Sequence, residues 1–359
     1  ILSGLVGSEM CIRDSVNTMA FNQAPVGTGR YQFVKWDAAG GRIILERNSA
    51  YYGKVPNIER VIYKTVAVES TKATMLQSGE ADLAWLNAKY ADTFRGKNGY
   101  QNIDFKTADY RGISMDFGTK FWQENGDSID VLNYAIDKEA IVKSVLAGRG
   151  LAAYSPIQLN RLGGNTAANI YPYDLNQFAQ QMAKLGWAKG SDGIYERRGE
   201  KFHFTIQVRD YEEERVDIAN LCASQFKAAG VDMEVVLVTK FDWKAGYNGF
   251  LSGYAAQFDP DMFYKNYVTG ASDNTMKYSN ARVDQLLSEG RHTKDESKRK
   301  QIYQEFEDVY AQQPGVVLVA FLNGCYVSIK GLDGLDTTRL LGHHAVGVLW
   351  NIEEWTLSK

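Results

Sequence analysis

The chain has 359 residues, 45% of them hydrophobic and 23% charged, with a net charge of -3 at neutral pH. That is the balance of an ordinary globular protein with enough core material for two or three domains. It argues against nucleic acid or an anionic membrane as the main partner, and no apolar run reaches transmembrane length.

Residues 1–15, ILSGLVGSEMCIRDS, differ in character from the rest of the chain. The run lacks the basic start and sustained apolar core of a secretory signal, and it resembles the translated read-through of a sequencing adapter. The expectation is that 1–15 is non-native, that the biological chain starts near Val16, and that any signal segment is missing by truncation.

Residues 25–36, PVGTGRYQFVKW, read as a Gly-rich turn entering a strand. No Gly-Lys-Ser/Thr comes after it, so a phosphate loop is excluded. Arg42–Asn48 and Ile58–Thr65 are further strands. Ser70–Ser78 reads as a helix with Ser70 as its cap, closed by Gly79, and Ala81–Leu86 as a short buried strand. This alternation points to an α/β fold. Asp109–Phe117 is another strand. Asp130–Leu146 carries a helical apolar stripe that Asp137 breaks, capping a second helix.

Tyr173–Leu185 is an amphipathic helix with Asp174 near its start and Gly186 after its end; Trp187 packs back on it. Asp192-Gly193 makes a hairpin-like turn before Ile194–Arg197 and Lys201–Arg209. The second of these alternates at Phe202, Phe204, Ile206 and Val208, with His203 on the surface face. Glu212–Ala229 is a helix, Val231–Val238 a strand, and Phe241–Phe250 a helix. Asn280–Gly290 and Lys294–Gln312 are two helices, the second capped by Asp295. Val316–Phe321 and Cys325–Ile329 are two strands, and 339–359 is irregular. His343 and His344 are neighbours, but adjacent side chains diverge, so no metal is expected there. Of the three cysteines, Cys222 and Cys325 are left open as paired or free, and Cys11 lies in the mismatched start.

The stretch Gly253–Gly270, GYAAQFDPDMFYKNYVTG, carries the strongest site signal. An apolar run stops at Asp259-Pro260-Asp261, and Phe263, Tyr264 and Tyr267 lie just beyond. Aromatics and carboxylates at a strand end make a ligand mouth; an ordinary capped turn with half-buried rings fits equally well. No nucleophile elbow, zincin histidine pair or Cys-His signature is present, so binding is favoured over catalysis.

Six stretches in order resemble the extracellular solute-binding proteins of family 5, over about Pro25 to Thr338. PVGTGRYQFVKWDAAGGRIILERNSAYYG is similar to the family's Pro-x-Gly-Thr-Gly-Pro-Tyr turn and two strands, with Arg30 in place of the usual Pro. The other five are ESTKATMLQSGEADLAWL, LNYAIDKEAIVKSVLAGRG, YPYDLNQFAQQMAKLGW, FDPDMFYKNYV and KYSNARVDQLLSEG. The resemblance implies a two-lobed, type II periplasmic-binding-protein-like α/β fold, incomplete at the N-terminus. Its chain crosses between lobes near Ile113–Gly118 and Ser328–Gly334. Residues 16–117 plus 331–359 would form part of lobe one, and 118–330 lobe two.

It further implies a monomer that needs no cofactor or resident metal, that closes on a small solute and that delivers it to an ABC permease. The protein would be periplasmic or extracellular, with lipid anchoring open. In peptide-binding members an Asp three positions before the Asp-Pro pair holds the ligand's amino terminus. Here that place is Ala256, which disfavours simple peptide capture, because a buried ammonium needs a carboxylate. Ligand-site candidates are Tyr254, Gln257, Phe258, Asp259 and Tyr264, then Trp85, Tyr110, Trp122 and Tyr154, for which a core role is equally open. A hydrolase on a related scaffold and a ligand-sensing module of a regulator are the competing readings.

Overall fold

The computed structural model describes residues 23–158, 162, 171–255 and 259–358. The mismatched start therefore lies outside the described residues, as do Ala256, Gln257 and Phe258. The chain forms two compact units: the first runs through Lys106 and includes Gly324–Lys359, and the second is Thr107–Asn323.

The first unit opens with an antiparallel sheet of β1 (Tyr31–Asp37), β2 (Arg42–Arg47) and β3 (Arg60–Lys64). The β1–β2 turn closes where the Asp37 carboxylate accepts from the Gly40 amide and pairs with Arg42. Helix α1 (Glu69–Gln77) begins one residue ahead of the expected cap. Val68 occupies the cap position without a side-chain bond, and Glu69 supplies the negative charge that the helix start favours. Strand β4 (Leu83–Trp85) and helix α2 (Ala88–Asp92) come next; Asn87 caps α2 through the Tyr90 amide. Leu332, Ile352 and Trp355 form one core cluster of this unit, and Phe105, Tyr326, Leu341 and Ala345 another.

The second unit is built on a sheet. Strand β5 (Tyr100–Met115) enters it, followed by α3 (Lys120–Asn125), a 3-10 turn (Val131–Ala135), α4 (Lys138–Ser144) and β6 (Gly150–Ala152). Asp137 does cap α4, accepting from the Ala140 amide at 2.9 Å. Helix α5 (Leu175–Lys184) is capped by Asp174 and leads to a small sheet of β7 (Ala188–Lys189), β8 (Tyr195–Arg197) and β9 (Glu200–Lys201). Strand β10 (His203–Arg209), helix α6 (Glu213–Ala229) and strand β11 (Asp232–Val238) form a parallel β-α-β unit. Phe204, Ile206 and Val208 along β10, and Phe202 just before it, are fully buried, as their alternation requires. His203 faces outward and bonds Asp232 at 2.8 Å.

Phe241–Phe250 is not a helix: 241–248 is a loop, and Gly249 starts strand β12 (Gly249–Ala255). Gly246 takes a left-handed φ of 78°, and the Asp242 carboxylate bonds the Lys244 amide, a turn that competes with helix. The rings of Phe241, Trp243 and Phe250 pack on one another instead.

Strand β12 pairs antiparallel with β5, opposing Tyr254 to Tyr110. Helices α7 (Tyr264–Tyr267), α8 (Ala281–His292) and α9 (Glu296–Gln312) pack over a core of Tyr267, Tyr278, Leu286, Phe306 and Tyr310. The last long strand, β13 (Val316–Ile329), is one element where two were expected. Asn323-Gly324 reads as a break, yet the Asn323 amide donates to the Arg149 carbonyl and pairing continues through it. Within this unit the strand order is β11-β10-β12-β5-β13, with β6 also on β13. The chain then returns to the first unit, where β14 (Leu332–Asp333) pairs with β15 (Thr356–Leu357). The two units divide inside β5 and β13, whereas the expected crossings lay at the ends of those strands. Cys222 and Cys325 are buried thiols.

Candidate functional site

The Asp-Pro-Asp turn is assembled from the second unit. Asp259 caps the turn Pro260–Phe263 through the Asp261 amide. Its carboxylate also receives both arms of Arg299 from α9, at 2.6 and 2.7 Å. Asp261 is paired in the same bidentate way with Arg291 of α8, at 2.8 and 3.0 Å. Arg291 in turn lies 3.6 Å above the Tyr264 ring, and Arg299 also donates to the Gly290 carbonyl at the end of α8. The turn is thus tied to both helices, and its carboxylates are neutralised by the fold rather than left bare.

Tyr254 donates its hydroxyl to the Met262 carbonyl at 3.0 Å and packs on Phe263, so it braces the same turn. Burial raises its phenol above the ordinary range. Tyr110, opposite it, is buried and shares a 2.8 Å hydroxyl bond with Tyr267. Trp122 is 1% exposed. Its indole donates to the Asn248 carbonyl and its ring packs against Phe204, so it belongs to the core below α3.

On the other face of the β5–β12 pair, a network of buried charges presses against Gly253. Arg111 pairs with Asp109 at 2.6 Å, and Arg215 with Glu212 at 3.0 Å. A Cβ at Gly253 would meet Arg111 Nη1 at 2.5 Å, which is why glycine stands there. Burial, then the neighbouring Arg111, pushes Arg215 down to about 10.

Tyr154 is half-buried, 4.5 Å beneath a group that the sequence did not single out, the ammonium of Lys138. Lys138 is 3% exposed and donates to Asn133 Oδ1 at 3.0 Å and the Ala153 carbonyl at 2.9 Å. Burial pushes its pKa down to about 7. Nothing in a lysine just after a helix cap distinguishes a buried amine from a solvated one.

Trp85 lies in the first unit, on β4, and packs at the edge of the Phe105–Tyr326 cluster. Lys72, paired with Glu69, lies 5.1 Å over its ring. His344 meets it edge-on at 5.8 Å. The premise that His343 and His344 diverge does not hold: their ring centroids are 3.9 Å apart, inclined by 59°. His344 adopts a left-handed backbone, φ 53° and ψ 36°. A sequence pattern carries no sign of that torsion in a histidine.

Among the described residues, no three His, Cys, Asp or Glu side chains gather as a metal site, and no helix is long and apolar enough to cross a membrane.

Two compact units, joined by two long strands and holding a mixed sheet, define the class: a two-lobed α/β fold of the periplasmic-binding-protein type. The structure of NikZ from Campylobacter jejuni, in complex with Ni(L-His), superposes with a TM-score of 0.84 at 30% identity. The alignment covers 97% of this chain and 72% of that one. The oligopeptide-binding protein AppA from Bacillus subtilis, in complex with a nonapeptide, shares the fold at a TM-score of 0.76 and 23% identity, over 98% of this chain and 71% of that one. The chain belongs to the bacterial extracellular solute-binding proteins, family 5 (Middle), whose model matches residues 11–278.

Among curated relatives, Protein XP55 of Streptomyces lividans is 28% identical, over 94% of this chain and 63% of its own length. AppA of Bacillus subtilis is 26% identical, over 93% and 62%. The chain therefore spans less than two thirds of these relatives. The family and these relatives with stated ligands are binding proteins.

Proposed function

We propose that this chain is the substrate-binding component of an ABC importer, which captures a small solute, a peptide or related compound, and hands it to a membrane permease. The observation that carries the reading is the double passage of the chain. It leaves the first unit through β5 and returns through β13, in a chain that belongs to an extracellular solute-binding family. Two units connected twice can move as bodies while the connections bend, which is how a binder encloses and releases a solute without chemistry. In this reading the protein works as a monomer in the periplasm or at the cell surface, held there by a lipid if it is anchored. It returns its solute unaltered, and Tyr254, Tyr264, Gln257 and Phe258 supply contact area from the end of β12.

The relatives described above hold two solute classes, a peptide and a nickel–amino-acid chelate. Both belong in a thermal-shift panel with oligosaccharides, because a ligand bound only to the folded state raises its melting temperature. A saturable rise of several degrees with one class is the expected result. A flat panel across peptides, sugars and chelates would overturn the reading.

A further inference from the structure

We infer that a cleft between α3 and the β8–β9 hairpin is a second binding site, which takes a singly charged carboxylate. The cleft belongs to the second unit alone and lies at the amino end of β10, whereas the Asp-Pro-Asp turn follows the carboxyl end of the parallel strand β12. It is thus separate from the solute site proposed above.

Arg197 is a buried arginine with one hydrogen left over. It is 7% exposed, and its guanidinium lies 4.7 Å over the Trp187 ring. Nη1 donates to Asp127 Oδ2 at 2.8 Å and to the Leu185 carbonyl at 3.0 Å. Nη2 donates to Asp127 Oδ1 at 2.9 Å, the Glu124 carbonyl at 3.1 Å and Asn125 Oδ1 at 2.6 Å. Nε has no acceptor among the described residues. The bond from Nη2 also fixes which way the Asn125 carboxamide faces, because only its oxygen can accept. Its Nδ2 is left without an acceptor among the described residues too, in a residue 4% exposed. Buried donors of this kind are rare, and each unmet one carries a desolvation penalty.

Both residues line one open cleft of about 390 Å³, with Lys120, Glu124, Arg198 and Glu200 around them. An acceptor that enters the cleft can meet both donors, and the two oxygens of a carboxylate match two N–H groups. Asp127 already balances Arg197, and Glu124 lies 3.7 Å from Lys120, so the charge that attracts an anion comes from Arg198. Arg198 and Gly199 are the two central residues of the β8–β9 turn, both left-handed, with φ 56° and 82°. Such turns favour Asn-Gly or Gly-Gly, so an arginine there is disfavoured by its own backbone. What the position gains is a guanidinium side chain on the cleft wall. Glu124 and Glu200 set the limit on charge: a dianion, such as phosphate at pH 8, would face two carboxylates.

The test is thermal shift on the whole chain at constant ionic strength and pH 8, with acetate, inorganic phosphate and chloride as probes, and saturation-transfer NMR on the acetate. Acetate should give a saturable rise in melting temperature, half-complete at a concentration at least tenfold lower than phosphate or chloride needs. Asn125→Asp keeps the oxygen that Arg197 uses and replaces the donor by a second oxygen, so it should weaken acetate at least tenfold. Arg198→Asn suits the turn, so it should raise the ligand-free melting temperature and still weaken acetate at least tenfold. A side chain with only a structural role would not couple those two effects. Lys54→Ala, which removes an exposed cation of the first unit, should leave acetate binding unchanged. No saturable response to acetate, a response that phosphate or chloride reproduces, or one that either cleft variant retains in full would overturn the inference.

Discussion

Lys138 is a buried amine whose hydrogen-bond acceptors are a carboxamide and a carbonyl, with the Tyr154 ring against it. Its pKa falls to about 7 in the folded protein, against an ordinary 10.5 in the unfolded chain. Between those values the unfolded chain binds more protons, so stability rises with pH through that window. Cys222, its other titrating neighbour, is pushed up by burial to about 12, above the range of interest. Urea midpoints of wild type and Lys138→Met at pH 7 and pH 9 isolate the effect. The wild type should gain stability relative to the variant on going to pH 9; no difference in slope would show the amine to be solvated. At this scale the sequence conveys identity but not environment. Tyr110 and Trp122 carry the same chemistry as exposed pocket rings, and only tertiary packing makes them core.

At the scale of elements, the caps are the most legible features. Asp137, Asp174 and Asp295 each accept amide bonds at the start of a helix, because the preference is local, whereas Ser70 does not cap α1. The loop 241–248 and the unbroken β13 were hidden for the opposite reason: an Asx turn and long-range pairing outweigh the local pattern. The Asp-Pro stop was legible as a turn, but its two arginine partners, some thirty and forty residues on, were not. The contrast between the two carboxylates is measurable. Asp259 combines a cap with a bidentate pair to a largely buried arginine, so Asp259→Ala should cost about 1–3 kcal/mol. The Asp261–Arg291 pair is more open, so Asp261→Ala should cost under about 1 kcal/mol. Chemical denaturation of both variants checks the order, and equal losses would contradict the clamp described for Arg299.

For the whole molecule, six loose motifs in the right order outlined a family that the family model then matched over residues 11–278. Order along the chain is long-range information that single motifs lack, which is why fold and family were readable while the ligand was not. The unit boundaries were less readable, because they fall inside β5 and β13, where no turn residue marks them. The segment 256–258 lies outside the described residues, so the proposed contribution of Gln257 and Phe258 rests on their place at the end of β12.

A binder of the kind proposed holds a solute and does not transform it. Native mass spectrometry of the purified protein, incubated with the solute panel and then denatured to release what it carries, tests this most directly. One molecule of solute per chain, recovered with its mass unchanged after prolonged incubation, is the predicted result. A time-dependent product mass, or no retained solute from any class, would contradict it.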